Sequence, residues 1–259
     1  MEEMELRTEE LGKEAAAEVK RRPFREFLSR LFREKKLGAV GLIIVLAFLL
    51  VGIFAPLIAP HGMYDFNLMH TMEGPSAEFL MGTDQFGRDQ FSRIIYGARI
   101  SMIVGLSSGI LAVGIPIILG LVSGYWGGMF DLILQRFVDA VMSFPWLFIV
   151  LSIMSLLGPG MFQVILVLGV FWGITNTRMV RGVVLSTKEN MYVQAAIATG
   201  CSTWRILFKH ILPNIWASVI VLFTITVGSA IIAEAMMMVS QEVGDRRSAK
   251  NSRLQIVSG

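Results

Sequence analysis

Long uncharged apolar runs, separated by shorter polar segments, dominate the chain. A helix needs about 20 apolar residues to cross the hydrocarbon core of a bilayer, which is about 30 Å thick. Five segments approach this length, and we predict them as transmembrane helices: Leu37–Ala59, Ile100–Val122, Phe137–Leu157, Met161–Thr177 and Ile211–Ala233. The pattern therefore predicts an all-α membrane protein with five transmembrane helices.

Prolines and glycines punctuate these runs. Pro56 and Pro60 predict the end of the first helix, and Pro116 predicts a kink in the second that neighbouring helices can accommodate. The third segment contains Pro145 and closes on the turn around Gly158. Glycines along the second segment favour close helix packing; they are Gly105, Gly109, Gly114, Gly120 and Gly124.

Basic residues predict the orientation. Residues 1–36 contain ten Lys and Arg, whereas residues 60–99 contain three against five acids. Because cytoplasmic flanks are rich in Lys and Arg, the N-terminus is predicted to be cytoplasmic. Residues 178–209, with five basic residues and one acid, then fall on the same side, where Arg178 and Arg181 are expected to extend to the lipid headgroups.

The same pattern predicts the organisation of the chain. We expect a cytoplasmic tail over 1–36, a first helix with an external loop over 37–99, and a transmembrane domain over 100–235 that includes a cytoplasmic loop at 186–213. Residues 236–259 form a polar tail with four basic residues, which would lie outside after five spans. A basic external tail conflicts with the positive-inside tendency, so this pattern favours an early end to the chain.

Composition supports the membrane assignment. The chain is 54% hydrophobic and 17% charged, whereas soluble domains carry about 25% charged residues. The net charge of +3 comes from basic clusters beside apolar runs, so it indicates topology rather than nucleic-acid binding. The single cysteine, Cys201, excludes an internal disulfide, and no phosphate-binding GxxxxGK[ST] loop occurs.

The loop MYVQAAIATGCSTWRILFKHILPN (191–214) carries the most informative pattern. It predicts two short helical pieces broken near Gly200, with Pro213 in the first turn of the next helix. Small residues such as Ala195 and Ala196 allow another surface to approach closely. From the residues alone, this loop is either a docking element or an amphipathic connector in the membrane interface.

This loop resembles the EAA loop of ABC importer permeases. The Ala-Ala pair, the glycine and the final Leu-Pro match in spacing at Ala195, Ala196, Gly200, Leu212 and Pro213. Gln194 stands where the family usually has Glu, a change expected to weaken a polar contact with the partner. His210 stands where Ile is usual, and the ending HILPN is typical of the dipeptide, oligopeptide and nickel branch.

A second segment, MGTDQFGRDQFSRIIYGARI (81–100), is similar to a motif before the second helix in that branch. The residues that carry the match are Gly82, Thr83, Asp84, Gly87, Arg88, Asp89, Ser92, Arg93, Gly97 and Arg99. Without the family context, the same residues would also describe a solvated turn closed by an Asp89–Arg93 ion pair.

The resemblance implies the type I importer fold, which normally has six spans, in a bacterial or archaeal inner membrane. It implies that the loop docks on an ATPase, so that ATP-driven closure rocks paired permeases between inward and outward states. The implied partners are a second permease subunit, two ATP-binding subunits and an extracytoplasmic substrate-binding protein. The chain itself would catalyse no reaction and need no cofactor. The implied cargo is a peptide.

Three alternatives remain open from the sequence. The cargo is nickel or another small solute, the chain is a non-functional truncated permease, or it is a secondary transporter driven by an ion gradient. The last would predict carboxylates in mid-helix and an internal inverted repeat, and neither is evident.

Isolated charges and soft ligands have competing interpretations. For Asp139 we prefer an ion pair with Arg136, three residues earlier, over a role in translocation. Glu234 either faces a pathway or marks the membrane interface. A loose set of possible metal ligands follows the first helix at His61, Met63, Asp65, Met69 and His70, but its irregular spacing argues against a metal site.

Overall fold

The structure, a computed structural model, describes the backbone of residues 31–158 and 160–258 and the side chains through residue 239. Most of the cytoplasmic tail predicted at 1–36 therefore lies outside the described residues. The described part is helical, and its only β-type pairing is an isolated bridge between Thr83 and Asp89. It forms two compact units that divide between Ala98 and Arg99.

The first unit begins with α1 (Lys36–Ile53), followed after Phe54 by a single turn, α2 (Ala55–Ile58). Pro56 lies in the first turn of α2, where its missing N–H costs no helical hydrogen bond. Only Ala39 and Gly52 of α1 are buried, so the helix is apolar and exposed around most of its surface. Such a surface suits a helix in lipid, and α1 with α2 covers the predicted first span closely.

Helix α3 (Gln90–Trp126) includes the predicted second span but begins ten residues earlier and continues through Pro116. In the second unit, its glycines form close helix contacts. A Cβ atom on Gly105 or Gly109 would lie within 3 Å of a side chain of the last long helix. A Cβ atom on Gly120 or Gly124 would lie within 3 Å of Val180 or Val184, respectively. The predicted packing is confirmed at these four glycines; Gly114 instead has nothing within 4 Å of a Cβ position.

The predicted third span is wrong as a single helix. The chain forms α4 (Gly128–Met142) and α5 (Trp146–Leu157), whose axes differ by 88° at the break. Proline disfavours helical geometry in the residue before it, here Phe144, so the helix stops ahead of Pro145. The pair is either a broken span or a re-entrant segment.

Helix α6 (Met161–Lys188) continues eleven residues beyond the predicted fourth span, so Arg178 and Arg181 belong to the helix and not to the loop. After the loop, α9 (Leu212–Ser258) contains the predicted fifth span and continues through the polar stretch after Ala235. Residues with good helix propensity, among them Glu, Arg, Lys and Ala, and the absence of proline explain this continuation.

Two clusters of buried apolar side chains lie in the second unit. One joins α3, α6, the loop and the start of α9 around Val184, Ile211 and Ile215, and the other joins α5 and α6 to Ala230 and Ala233 of α9. Four helical segments of the described chain are long and apolar enough to cross a membrane, or five if α4 and α5 form one span. The predicted all-α membrane architecture is confirmed.

Candidate functional site

The loop after α6 folds as the sequence predicts. It consists of α7 (Met191–Ala198), a turn at Gly200, the short helix α8 (Thr203–Arg205) and a π-helical segment (Ile206–Ile211) that leads into α9. Gly200 has a φ of +76°, a left-handed conformation that glycine adopts without steric cost. The break near Gly200 is confirmed, whereas Pro213 comes just after the π segment within one continuous helical stretch from Thr203 to Val239.

The inner face of this loop is part of a hydrophobic core. Val193 and Ala196 of α7 are buried, as are Ile206, Leu207 and Ile211 of the π segment, and all five belong to one cluster with Val180 and Val184 of α6. Leu212 packs at the edge of this cluster. The loop is therefore a packed element with a fixed inner surface.

Gln194 anchors α7 to the end of α6. Its Nε2 donates a 2.9 Å hydrogen bond to the carbonyl oxygen of Lys188. The Lys188 ammonium in turn donates to the Tyr125 carbonyl at 2.7 Å and lies 5.1 Å from the centre of the Tyr125 ring. Further along, the Asn214 side-chain amide donates to the carbonyl of His210. At position 194 the side chain thus serves the internal structure of the loop.

The outer face of the loop is apolar and exposed. Met191 is 89% exposed, and Tyr192, Ile197, Trp204 and Phe208 also expose more than a third of their surface. Trp204 stacks on Phe208 and meets Trp126 of α3 edge-on. The loop motif identified from the sequence does not include Trp204 and Phe208. Their four-residue spacing, which places them on one helix face, is the sequence pattern that could have indicated them.

The motif at 81–100 surrounds the carboxylate of Asp84. Arg88 Nη2 and Arg93 Nη1 each lie 2.7 Å from Asp84 Oδ2, and the N–H groups of Phe86 and Arg88 donate to Oδ1. Burial works to raise the pKa of this carboxyl, but the hydrogen bonds from Arg88 and Phe86 outweigh it and hold that pKa below its ordinary value of 3.8. One aspartate thus binds the motif together.

The Asp89–Arg93 ion pair is not what closes this turn. Asp89 instead caps the start of α3, accepting hydrogen bonds from the N–H groups of Phe91 and Ser92 and a 2.6 Å bond from the Ser92 hydroxyl. His61 Nδ1 lies 3.4 Å from the same carboxylate. Burial acts to raise the pKa of Asp89, yet these bonds from Ser92, His61 and Phe91 lower it overall.

Backbone crowding explains the two glycines of the motif with positive φ. A Cβ on Gly82 would lie 2.4 Å from the carbonyl oxygen of Glu73, and one on Gly87 would lie 1.8 Å from that of Asn67. Thr83 completes the framework by accepting from the Glu73 N–H and donating to the His70 carbonyl. Gly97 has open space at its Cβ position, and Arg99 is exposed on α3 in the second unit.

The two charges predicted near the bilayer have different settings. Arg136 Nη1 lies 3.5 Å from Asp139 Oδ2, which confirms the predicted local pair, and Arg178 binds the other oxygen of Asp139. Arg181 likewise binds a carboxylate, that of Asp131, so both arginines form ion pairs within the protein, and their extension to headgroups stays a prediction. Glu234 is buried beside Ser101, and its Oε2 has no hydrogen-bond partner among the described residues.

The candidate metal ligands after the first helix serve other contacts. The His61 and His70 rings both lie against Phe79, and His70 Nδ1 is 2.8 Å from Glu73 Oε1. Asp65 accepts a hydrogen bond from the N–H of Gly62. Within the described residues, no three His, Cys, Asp or Glu side chains are grouped so that they could hold a metal ion.

Comparison with known proteins identifies the family. Residues 116–240 match the family described as the binding-protein-dependent transport system inner membrane component, and residues 22–75 match the N-terminal transmembrane domain of oligopeptide transport permease C. The first match includes the loop and the apolar part of α9, and the second includes the whole of α1.

Curated relatives agree over most of the chain. A dipeptide transport system permease protein of Alkalihalophilus pseudofirmus is 39% identical over 215 residues, which cover 83% of this chain and 70% of the relative. An oligopeptide transport system permease protein of Bacillus subtilis is 40% identical over 80% of this chain and 68% of its own length. A glutathione transport system permease protein of Pectobacterium atrosepticum is 34% identical over 84% and 72%. The chain therefore belongs to the family of inner-membrane permease components of binding-protein-dependent ABC transport systems.

Proposed function

We propose that this chain is the membrane-spanning subunit of an ATP-driven peptide importer and that its loop at 186–213 docks on a separate ATPase. The observation that carries the proposal is the two-sided loop, whose inner face is locked into the core at Val193 and Ile211 while its outer face exposes Met191 and Tyr192. A surface that is rigid, apolar and exposed suits a protein partner better than it suits water.

The packing of the loop explains how docking would be coupled to transport. Val193 of α7, Val184 of α6 and Ile215 of α9 share one buried cluster, so a force applied to the loop reaches both helices through close-packed side chains. The Gln194–Lys188 hydrogen bond resists independent movement of α7. Movement of an ATPase against the outer face would therefore tilt α6 and α9 together.

The proposed assembly contains a second permease subunit, two ATP-binding subunits and an extracytoplasmic substrate-binding protein. The relatives named above are permeases for dipeptides, oligopeptides and glutathione, which favours a peptide cargo over nickel. The family assignment likewise favours an ATP-driven importer over an ion-coupled transporter. In this assembly the chain supplies a pathway and a docking surface, and ATP hydrolysis belongs to the partners.

A charge placed on the outer face tests docking. Met191→Lys should reduce co-purification of the ATP-binding subunit by about tenfold, because an interface core tolerates an unpaired charge poorly. Met69→Lys is the matched control: Met69 is 86% exposed, close to the 89% of Met191, but lies in the loop predicted to be external. Equal ATPase recovery from both variants would refute docking through this face.

Cargo is tested separately in cells that supply the partner chains. Uptake of labelled dipeptide, of a longer peptide and of nickel should show peptide transport that depends on this chain, while nickel uptake stays at background. Nickel uptake without peptide uptake would overturn the peptide assignment and leave the docking result intact.

The sole cysteine tests the proposed orientation. Cys201 is a partly exposed free thiol beside α7. With a cytoplasmic N-terminus, a membrane-impermeant maleimide should label Cys201 in inverted vesicles and not in intact spheroplasts. The reverse pattern would place the loop outside and contradict both orientation and docking.

A further inference from the structure

A cavity with a polar lining lies beside α4 and α6, and none of its lining residues belongs to the loop at 186–213. It has a volume of about 390 Å³, and its polar lining consists of Asp131, Gln135, Arg136, Asp139, Arg178 and Arg181. Three guanidinium groups and two carboxylates thus meet between two helices, near the helix ends that the sequence predicts to be cytoplasmic. The pairing of these groups determines what charge the cavity offers to a ligand.

Two of the arginines are already neutralised within the protein. Arg181 donates to both oxygens of Asp131, at 2.5 Å each, and Ser123 donates to the same carboxylate. Arg178 binds Asp139. Because each carboxylate has an arginine of its own, neither leaves a negative charge to repel an incoming anion.

Arg136 supplies the remaining positive charge. Its side chain is 76% exposed, and its contact with Asp139 is a long 3.5 Å to an oxygen that already belongs to a paired carboxylate. A guanidinium has five N–H donors in a planar fork, so most of those on Arg136 stay available to a ligand. The cavity therefore offers one unit of positive charge at its rim.

Gln135 lines the cavity and has an unused donor in the cavity wall. Its Nε2 atom is buried and has no hydrogen-bond partner within the part of the chain that the structure describes. A buried amide nitrogen without an acceptor is costly and rare in folded proteins, so a side-chain rotation that brings this nitrogen to the cavity surface and pairs it with a ligand oxygen would be favoured. Together with Arg136, it selects a ligand with one negative charge and more than one acceptor oxygen.

The apolar surroundings indicate where that ligand comes from. Leu132 lines the cavity, and Leu132, Ile133 and Phe137 of α4 each expose more than half of their surface. A free anion gains nothing from such a surface, whereas the acyl chains of a lipid would cover it. Basic pockets between transmembrane helices near the cytoplasmic face are known sites for anionic headgroups.

We propose that this cavity binds the phosphate of an anionic phospholipid, with Arg136 and the Gln135 amide holding the phosphate oxygens and the acyl chains lying along α4. A phosphodiester carries one negative charge, which matches the single uncompensated arginine. The ion pairs Arg181–Asp131 and Arg178–Asp139 form the wall of the site and keep α4 and α6 at a fixed separation. The site requires only that the chain is embedded in a bilayer, so it stands apart from the docking and cargo proposals.

Lipid retention by the purified full chain tests the site. The chain is extracted from nanodiscs that contain equal amounts of phosphatidylglycerol and phosphatidylcholine, and bound lipid is counted by native mass spectrometry. The wild type should retain phosphatidylglycerol preferentially. Arg136→Ala should lower that retention by about fivefold, the effect expected of one basic residue near an anionic lipid. Gln135→Leu should lower it as well, and Arg136→Lys should restore most of it.

Two comparisons separate this site from general attraction and from a free anion. Arg33→Ala removes the same charge from an exposed position outside the cavity and should leave retention unchanged. Millimolar inorganic phosphate should not displace the lipid. Equal retention by wild type and Arg136→Ala, equal loss in Arg33→Ala, or displacement by inorganic phosphate would each overturn the lipid site.

Discussion

Arg181 of α6 binds Asp131 of α4 through two hydrogen bonds of 2.5 Å each, across fifty residues of sequence. Ser123 near the end of α3 donates to the same carboxylate, so α3, α4 and α6 meet at one polar point. Both charged side chains are largely buried, with exposed fractions of 28% and 14%. This point joins the broken helix pair α4–α5 to the helix that precedes the loop at 186–213.

Removing one partner of this pair should destabilise the protein. Asp131→Ala leaves the Arg181 charge largely buried without a counter-charge, and we expect a loss of about 2 kcal/mol in the free energy of unfolding, below the value for fully buried pairs because some solvent reaches this one. Asp131→Ala combined with Arg181→Leu should recover part of the loss. Equilibrium unfolding in mixed micelles measures both.

The exposed Arg136–Asp139 pair is the internal control for that experiment. Its 3.5 Å separation and the exposure of Arg136 predict an effect of Arg136→Ala below about 0.5 kcal/mol. If Arg136→Ala lowered the free energy of unfolding as much as Asp131→Ala, burial of the Asp131–Arg181 pair would not explain its contribution to stability.

Two glycines of α3 should respond oppositely to a methyl group. A Cβ on Gly120 would lie 2.9 Å from Val180 Cγ1 and 3.0 Å from the backbone nitrogen of Arg181, so Gly120→Ala must push α3 and α6 apart. We expect it to cost about 1–3 kcal/mol, as overpacking does elsewhere. Gly114→Ala meets open space and should be neutral or gain up to about 1 kcal/mol from helix propensity.

Thermal unfolding of both variants in the same detergent measures this contrast. Both substitutions lie in one helix and add one methyl group, so the change in side-chain hydrophobicity is the same in the two variants. A loss of stability in Gly114→Ala equal to that in Gly120→Ala would show that the close α3–α6 contact is not the cause.

The motif at 81–100 should loosen in acid. The pKa of Asp84 in the folded loop lies below its ordinary value of 3.8, so the charged carboxylate is favoured by folding. The stability that the charged Asp84 carboxylate contributes is complete at pH values above the ordinary pKa. It is lost as the pH falls through the lower pKa of the folded loop. Protection of the Phe86 and Arg88 amides against hydrogen exchange, corrected for the intrinsic rate, should therefore fall below about pH 4.

Asp84→Asn is the corresponding variant, because it keeps the side-chain oxygen for the two amides but removes the charge that binds Arg88 and Arg93. Its protection should be lower and should vary less with pH. Core amides of α6 in the same sample report whether the whole protein unfolds. Wild-type protection that stayed constant in acid while α6 remained folded would contradict the role of Asp84.

Hydropathy predicts where the chain is apolar, and it succeeds for α1, for the centres of α3 and α6 and for the apolar half of α9. It fails at α4, where Asp131, Arg136 and Asp139 interrupt the apolar pattern although the helix begins at Gly128. The two carboxylates are paired with arginines of α6 about forty to fifty residues away. A pairing of that kind follows from helix packing and has no local signature.

The predicted ion pair in the motif at 81–100 shows a similar limit. Asp89 and Arg93 have the spacing of a helical i,i+4 pair, but α3 begins only at Gln90. Asp89 therefore lies at the cap position, where its carboxylate accepts backbone N–H groups, and Arg93 turns to Asp84. The motif positions are predictable from the sequence. Which of the two aspartates binds Arg93 depends on where the helix starts.

Gln194 stands where the family usually has glutamate, and its hydrogen bond to Lys188 predicts what a glutamate at this position would do. A glutamate has no N–H to donate, so Gln194→Glu replaces a 2.9 Å hydrogen bond with two oxygens facing each other. We expect α7 to lose about 1 kcal/mol of local stability, seen as faster hydrogen exchange of its amides. Gln194→Met removes the bond without adding charge and should have a smaller effect than Gln194→Glu. Slower exchange in Gln194→Glu would instead mean that the new carboxylate recruits the Lys188 ammonium from Tyr125, and the amide would not be what anchors the loop.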